Sequence, residues 1–504
     1  MPRYRNTEAA AGQGLFLTVN LQDQLIPGTF EYMLNEIIGT TIDVSIFDKN
    51  YKNAQVGAPA VPPSVLLKLI IYGYSKGCIS SRKLSELNCN NMVAKALTCD
   101  MNIHWTKIAE FISGNLKEFN DVFVKVLMYC NELALIGGET FAIDGLRLPS
   151  NASIQMSGTK EGLEKRLKLY QKMSLKHIMR HKKKDEPGEK DEEIEKRFEK
   201  RQKHLSAQIA KISNFIEGME KKKGQSGREI KSNVTDNESA MIHSSKGNIQ
   251  GYIGIAVADA KNQIIISAQA IGSANETSCL PEMLDKTAEN LKGAEVKPIE
   301  EGKKQTILGD PNYFSEDNLR ACEERGLDAI IPDSQEKRRV CPDGQRRYEI
   351  SDFHYEKETD TYECPQGKSL NYKRTTVKDG HESKVYVANV DDCRACPEFA
   401  RCSWSKKAQS EQKDGKTLII TKSNSSDSFC RKMREKLNTE EYQEKYSRRI
   451  QIVEPVFANM SYCKGLNRFM LRGKEKVQGQ WTLYCMVNNL WKCLNKYNER
   501  RKSA

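Results

Sequence analysis

Apolar residues in the first quarter of the chain recur at helical spacing. Leu66, Leu67, Ile70 and Ile71 follow Pro62-Pro63-Ser64, which predicts a helix with one apolar face behind a proline start. Gly77-Cys78-Ile79-Ser80-Ser81-Arg82-Lys83-Leu84 predicts a turn and a new helix capped by serine. A third helix is predicted through Trp105–Ile112. Residues from about 10 to 135 therefore read as helical. Short helices joined by tight turns fit a helix-turn-helix module and a plain helical bundle about equally well.

The pattern changes at Gly137-Gly138. Thr140-Phe141-Ala142-Ile143-Asp144 reads as a strand that ends on, or carries, a carboxylate. Residues 160–223 read as a pair of long helices, with Leu205, Ile209, Ile212, Ile216 and Met219 forming a coiled-coil seam. Lys183-Lys184-Asp185-Glu186-Pro187-Gly188 is the expected tip of that hairpin. Strands return at 251–257 and 263–267, joined by a turn at Asp259-Ala260-Lys261-Asn262. A helix at 280–291, a strand at 305–310 ending on Asp310, a helix at 315–324 and a strand at 328–332 complete an alternating α/β stretch. Residues 336–430 are polar and cysteine-rich with few long apolar runs, and helices close the chain from about 440 to 497.

Composition narrows the class. The 504 residues include 79 basic and 67 acidic side chains, a net charge of +12, with 38% hydrophobic and 29% charged residues. That length allows roughly three domains of ~150 residues and at least one sizeable core. No run approaches the ~20 apolar residues of a membrane helix, and Val65–Tyr72, the best stretch, contains Lys68. Arg3 and Arg5 precede an apolar run, Leu15–Val19, too short for a signal-peptide core. A soluble protein that stays in the cytoplasm is expected, so sequons such as Asn151-Ala152-Ser153 carry no weight. Residues 160–228 hold 21 basic against 12 acidic side chains, and residues 464–502 hold ten against two. Two basic segments on a mildly acidic body suit a polyanion-binding protein as well as they suit solvated helix faces.

In a reducing compartment, close cysteine spacing points to metal and lone cysteines to core packing. Cys393-Arg394-Ala395-Cys396 presents two thiolates at the separation a tetrahedral zinc ion needs, and Cys364 and Cys402 supply two more. Cys341 stands in a similar Cys-Pro-x-Gly setting and could replace one of them. The other ten of the 15 cysteines read as inert, mostly buried thiols. Three acids stand out. Asp144 and Asp310 fall at strand ends, and Glu454 lies in Ile452-Val453-Glu454-Pro455-Val456-Phe457. Such a trio can hold two magnesium ions about 4 Å apart for phosphodiester chemistry. Taken singly, each reads as a capping or surface acid.

Several motifs in order change that reading. Pro62–Leu69 with Tyr72–Gly77 and Ser80–Leu84, Ala142-Ile143-Asp144-Gly145, Gly309-Asp310-Pro311-Asn312-Tyr313-Phe314-Ser315, Arg448-Arg449, Val453–Asn459 and Gly465–Phe469 together resemble DDE transposases of bacterial insertion sequences. The resemblance is to the branch with a cysteine-rich insert before the last glutamate. It departs at Ala458, where glycine is usual, at Ser461, where lysine is common and Lys464 can substitute, and at Pro311-Asn312.

The resemblance implies an α/β protein with a ribonuclease H-like catalytic core over 136–504. A basic helical hairpin at 160–228 and a cysteine-rich insert at 336–430 would interrupt this core, and a helical DNA-binding domain at 1–135 would precede it. Asp144, Asp310 and Glu454 become the expected catalytic and magnesium- or manganese-binding triad, and Cys364, Cys393, Cys396 and Cys402 the expected ligands of one structural zinc. Arg448, Arg449, Lys464, Arg468 and Arg472 are expected DNA contacts, with Lys474 and Lys476 nearby, while Trp481 and Trp491 face the core. The implied reaction cuts the element's ends and joins the freed 3′-hydroxyl to target DNA. The expected partner is double-stranded DNA, at the element ends and the target, bound by a homodimer in a bacterial cytoplasm and so at the nucleoid. A non-catalytic relic or repressor is the alternative, and a zinc-stapled RNA nuclease a more distant one.

Overall fold

The structure, a computed structural model, describes residues 20–503 apart from 52–58, 183–191, 225–226, 245–246, 301, 335–340, 342–344, 379–380, 403–414 and 422–427. The N-terminal region is helical: α1 (Phe30–Ile37), α2 (Pro63–Ser75), α3 (Ser81–Asn90), α4 (Met92–Leu97), α5 (Trp105–Gly114) and α6 (Leu116–Glu132). Helix α2 starts on Pro63, whose missing N–H costs nothing at that position. Val65, Leu69, Tyr72 and Tyr74 are buried along with the predicted four, so α2 is enclosed all round rather than along one face. Ser80 caps α3 as expected, its Oγ accepting from the Lys83 N–H at 3.3 Å.

Strand β1 (Thr140–Pro149) leads into β2 (Ser157–Gly158) and the long helices α7 (Lys160–Lys182) and α8 (Glu192–Glu217). Met156, Leu163, Ile212 and Met219 form a small separate core against those helices, and Leu205 is buried on α8 as well. The expected hairpin tip at Lys183–Gly188 lies outside the described residues. Strands β3 (Ser232–Asn233), β4 (Ala240–Ser244), β5 (Gly247–Asp259) and β6 (Ile265–Ile271) follow, then α9 (Leu280–Gly293), β7 (Thr306–Gly309), α10 (Glu316–Glu324) and β8 (Asp328–Ile330). Six of these strands form one sheet in the order β4-β5-β1-β7-β8, with β6 also on β5. Strands β1 and β6 flank β5 on opposite sides, each antiparallel to it, whereas β7 runs parallel to β1 and β8 parallel to β7.

The expectation that Asp144 ends its strand needs correcting. Strand β1 continues to Pro149 because β5 is long enough to pair with it from Phe141↔Asp259 to Pro149↔Gly251. At its other end β1 is pinned by Asp259. That buried carboxylate accepts from the backbone N–H groups of Gly137, at 3.1 Å, and Gly138, at 2.8 Å.

The cysteine-rich region has few long apolar runs to mark strands. It nonetheless forms a second sheet, with β9 (His354–Glu356), β10 (Thr361–Glu363), β11 (Ser369–Lys378), β12 (His381–Ala388) and β13 (Thr417–Ile420) in antiparallel order β13-β12-β11-β10-β9. Its core is small: Phe353, Leu370, Tyr386, Ala388 and Leu418. Short helices α11 (Val390–Arg394) and α12 (Phe399–Cys402) lie between β12 and β13. Then α13 (Phe429–Leu437), α14 (Glu440–Ala458) and α15 (Lys474–Ser503) close the chain.

Helix α15 joins the two halves. It packs on α1, α2, α5 and α6 and also on β6, so the N-terminal helices and the main sheet share one continuous core. Trp481 is fully buried there, its indole N–H donating to the Ile255 carbonyl at 2.9 Å, whereas Trp491, expected to face the core, is exposed at the helix surface with one face stacked on Phe30. Of the lone cysteines, Cys130, Cys322, Cys430, Cys485 and Cys493 are buried, but Cys89, Cys99 and Cys463 are exposed. Among the described residues no helix is long and apolar enough to cross a membrane.

The close contact between sheet and helix gives a test. A Cβ at Gly254 would stand 2.9 Å from two atoms of the Trp481 ring, which cannot retreat without losing its hydrogen bond. Gly254→Ala is expected to destabilise the fold by about 1–3 kcal/mol, as overpacking does, seen as a lower thermal midpoint. Gly114→Ala, where a Cβ meets nothing within 4 Å, is the control and should leave the midpoint nearly unchanged.

Candidate active site

Strands β1 and β7 pair in parallel up to Ile143↔Gly309, and the next residue on each is an aspartate. Neighbouring strands lie about 4.8 Å apart, so Asp144 and Asp310 enter the same small volume. Each anchors one oxygen locally. Asp144 Oδ1 accepts from the Gly145 N–H at 2.8 Å, and Asp310 Oδ1 accepts from the Asn312 N–H at 2.9 Å. Both turn the other oxygen to one guanidinium. Arg449 Nη2 lies 2.8 Å from Asp144 Oδ2 and 3.5 Å from Asp310 Oδ2.

Arg449 comes from α14, which packs over β1, β5 and β7. Glu454 sits on the same helix, exposed, and its charge reaches Asp144. Burial holds the Asp144 carboxyl above the usual carboxylate range. Arg449 pulls it back down, while Asp310 and Glu454 push it up. The three predicted acids therefore converge, and Arg449, expected to touch DNA, lies among them with only 8% of its side chain exposed.

A fourth acid was not anticipated. Glu276 follows β6 by five residues and is 3% exposed. Its Oε1 lies 3.5 Å from Arg147 Nη2 and accepts from Asn312 Nδ2 at 3.3 Å. Burial pushes its carboxyl up to about 7, and the charge of Asp144 adds to this. Glu276 Oε2, Tyr313 Oη and Arg449 Nε are buried without a hydrogen-bond partner. The signal available in the sequence was an acid soon after an apolar strand, the same one that marks Asp310.

The other expected contacts scatter. Arg448 is exposed and paired with Glu444 within α14 at 2.9 Å. Arg468 and Arg472 are exposed at the far end of β1, donating to the carbonyls of Ser150, at 3.3 Å, and Asn151, at 2.7 Å. Lys474 and Lys476 are exposed on the first turn of α15. Lys464 is buried, 4% exposed, with its ammonium on the Asn459 side chain, so it presents no surface to a phosphate.

Cys364, Cys393 and Cys402 pack against the core of the second sheet. Burial pushes the Cys402 thiol up to about 11. Lys416 opposes this, and Cys393, Cys364 and Cys396 add to it, so the four sulfurs lie within electrostatic reach. The backbone N–H groups of Lys368 and Lys416 donate to Cys364 Sγ and Cys393 Sγ, each at 3.3 Å. Cys341 is buried, and its N–H bonds the Gln345 carbonyl at 2.7 Å, as the Cys364 N–H bonds that of Lys368 at 2.8 Å. Among the described residues no three His, Cys, Asp or Glu side chains are drawn together closely enough to hold a metal ion as they stand.

Two family models match the chain. Residues 363–494 match a transposase DDE domain, and residues 19–113 match a transposase domain (DUF772). The first match takes in Glu454, the four cysteines and most of α15, and stops short of both aspartates. The second takes in α1 to α5. Together they support a DDE transposase of an insertion sequence, a family of metal-dependent nucleases and transferases that act on DNA. No curated protein matches the chain.

The buried lysine makes a pH prediction. Burial lowers the Lys464 ammonium to about 8, well below its ordinary value. Above pH 8 the unfolded chain then binds more protons than the folded one, so stability rises with pH until the ordinary lysine value is passed. Lys464→Met is expected to raise the thermal midpoint at pH 7 and to flatten its change between pH 8 and 10, read by a pH series of melts.

Proposed function

We propose that this protein is a DNA transposase that cuts the ends of an insertion sequence and joins the freed 3′-hydroxyl to target DNA. One observation carries the reading: the β1/β7 register sets Asp144 and Asp310 side by side beneath the helix that bears Glu454. The strand order supports a ribonuclease H-like core, since three antiparallel strands are followed by two parallel ones, with acids where the parallel pairing stops. In this reading the catalytic domain covers 136–504, interrupted by the basic hairpin at 160–228 and the cysteine-rich sheet at 336–430, behind a DNA-binding region at 1–135.

The donor set fits hard divalent cations, because every candidate ligand is a carboxylate oxygen. The guanidinium between the aspartates supports this, since the pair already accommodates a cation. Asp144, Asp310 and Glu454 would hold magnesium or manganese, which supplies activation of the attacking oxygen and stabilisation of the leaving one. Arg449 neutralises the aspartates and keeps their oxygens turned inward. Arg468 and Arg472, exposed at the far end of β1, would grip phosphates further along the same duplex. Along α8, Arg197, Lys200, Arg201, Lys203 and His204 line a basic face suited to a longer stretch of duplex. The protein would act as a homodimer on DNA at the bacterial nucleoid.

Asp144→Ala, Asp310→Ala and Glu454→Ala are each expected to abolish magnesium-dependent cleavage of end-sequence DNA while leaving gel-shift binding of the same DNA largely intact. Full cleavage by one of them would remove that residue from the triad.

Among the described residues the core cluster of the second sheet is five buried apolar side chains, so a staple is expected. In our reading Cys364, Cys393, Cys396 and Cys402 bind one structural zinc. Elemental analysis of protein purified without chelator should find about one zinc per chain, and chelation should melt this sheet before the main one. Metal-free protein with the sheet intact would defeat the assignment.

A further inference from the structure

We propose that Glu276 is a fourth carboxylate of the cation site, facing the same divalent ion as Asp144 and Asp310. The inference rests on the reading of those two aspartates as cation ligands and goes beyond the three-acid motif.

Three observations carry it. First, the backbone is shaped around this side chain. A Cβ at Gly145, the residue after Asp144, would stand 2.0 Å from Glu276 Oε2, so glycine there is what lets the carboxylate approach β1. Second, its loop is stitched to the Asp310 loop. Thr277 Oγ1 donates to the Asn312 carbonyl at 2.7 Å, Asn318 Nδ2 donates to the carbonyls of Thr277 and Tyr313 at 2.8 and 2.9 Å, and Asn312 Nδ2 reaches Glu276 itself. Glu276 is therefore fixed beside Asp310 by a network that also fixes Asp310. Third, Oε2 is buried with no hydrogen-bond partner, and Tyr313 Oη and Arg449 Nε are in the same condition around the same acids. A buried polar atom without a partner calls for an explanation such as an ion, and three of them stand together here.

A purely structural role explains less. The pairing with Arg147 is 3.5 Å long and uses an arginine 38% exposed, a weak reason to bury a carboxylate. Charge also fails to balance. Fully ionised, Asp144, Asp310, Glu276 and Glu454 would exceed the charge of the two guanidiniums paired with them, Arg147 and Arg449, by two. One divalent cation cancels that excess.

The test measures manganese binding by full-length protein, by electron paramagnetic resonance and calorimetry, with metal-free melts alongside. Glu276→Gln keeps the size and the Asn312 hydrogen bond and removes the charge. It is expected to weaken Mn2+ binding by about tenfold or more, while the metal-free thermal midpoint holds or rises as repulsion is relieved. A structural role predicts the opposite pattern, a lower metal-free midpoint with Mn2+ affinity unmoved, and that result would overturn the proposal. Asp310→Asn separates this inference from the reading beneath it. If Asp310→Asn loses Mn2+ and Glu276→Gln does not, Glu276 falls and the site stands. If neither loses it, both fall. Should Glu276→Gln fail to fold, Glu276→Asp, which keeps the charge but withdraws it by one methylene, decides the matter: weaker binding in folded protein supports the assignment, and unchanged binding ends it.

Discussion

Two carboxylates held abreast by parallel strands repel one another, and the fold keeps them there only because a guanidinium stands between them. At strand spacing and an effective dielectric of about 20, that repulsion is about 3 kcal/mol. Arg449 offsets it from a side chain almost wholly removed from water. A buried pair of this kind adds little net stability once desolvation is counted. Its effect is positional. Arg449 belongs to α14, so its pairing with the aspartates acts together with buried Ile452, Val453, Val456 and Phe457 in docking that helix, and Glu454 is carried by the same docking. The guanidinium that offsets the aspartates and the acid of the proposed triad thus stand on one helix.

The sheet that carries the aspartates is stabilised from the side away from them. Strand β6 lies beyond β5, where unpaired backbone groups would invite another strand. Helix α15 covers them with side chains. Asn489 accepts from the Ile265 N–H and donates to the Ile265 carbonyl, and Gln478 accepts from the Ala270 N–H and donates to the Ala268 carbonyl. From α9, Lys286 and Asn290 donate to the carbonyls of Ala268 and Ile266. The same α15 buries its other faces in the N-terminal helices. A residue such as Trp481 therefore links the helical region to the middle of β5, and the two halves of the molecule are stabilised together.

What the sequence made legible was local. Period-four apolar positions marked α2, serine marked the cap of α3, and apolar runs marked β5, β6 and β7. An acid after an apolar run marked Asp310, and the order of the motifs, more than any spacing, singled out Asp144 and Glu454. What it withheld was whatever depends on register or burial. Arg449 and Lys464 read as surface cations because a sequence shows charge and not exposure, and both are buried for different reasons, one against carboxylates and one against Asn459. Glu276 stayed hidden because its meaning comes from the stitched loops that bring it to β1. The second sheet was missed because its strands bury few apolar residues: all of His354–Glu356 is exposed and only Leu370 is buried within residues 369–377, so no long apolar run announced them.

A large insert between β8 and α14 raises a question of accuracy, since Glu454 must still arrive over acids set by β1 and β7. The answer lies where the chain returns. Helix α13 begins with the N–H groups of Phe429 and Cys430 donating to the carboxylate of Glu316, at 3.0 and 3.2 Å, an acid at a helix start where the dipole favours it. Along the same helix Arg434 pairs with Asp333 at 2.9 Å, and Lys436 reaches both Asp328 and the Ala329 carbonyl. Glu316 belongs to α10, Asp328 and Ala329 to β8, and Asp333 follows β8 closely. The chain is thus recaptured by the elements it left, at a buried, multiply bonded point. From there a single short turn leads into α14. The start of α14 is accordingly held by β8, α10 and α13, while its contact with the main sheet is fixed further along by Arg449.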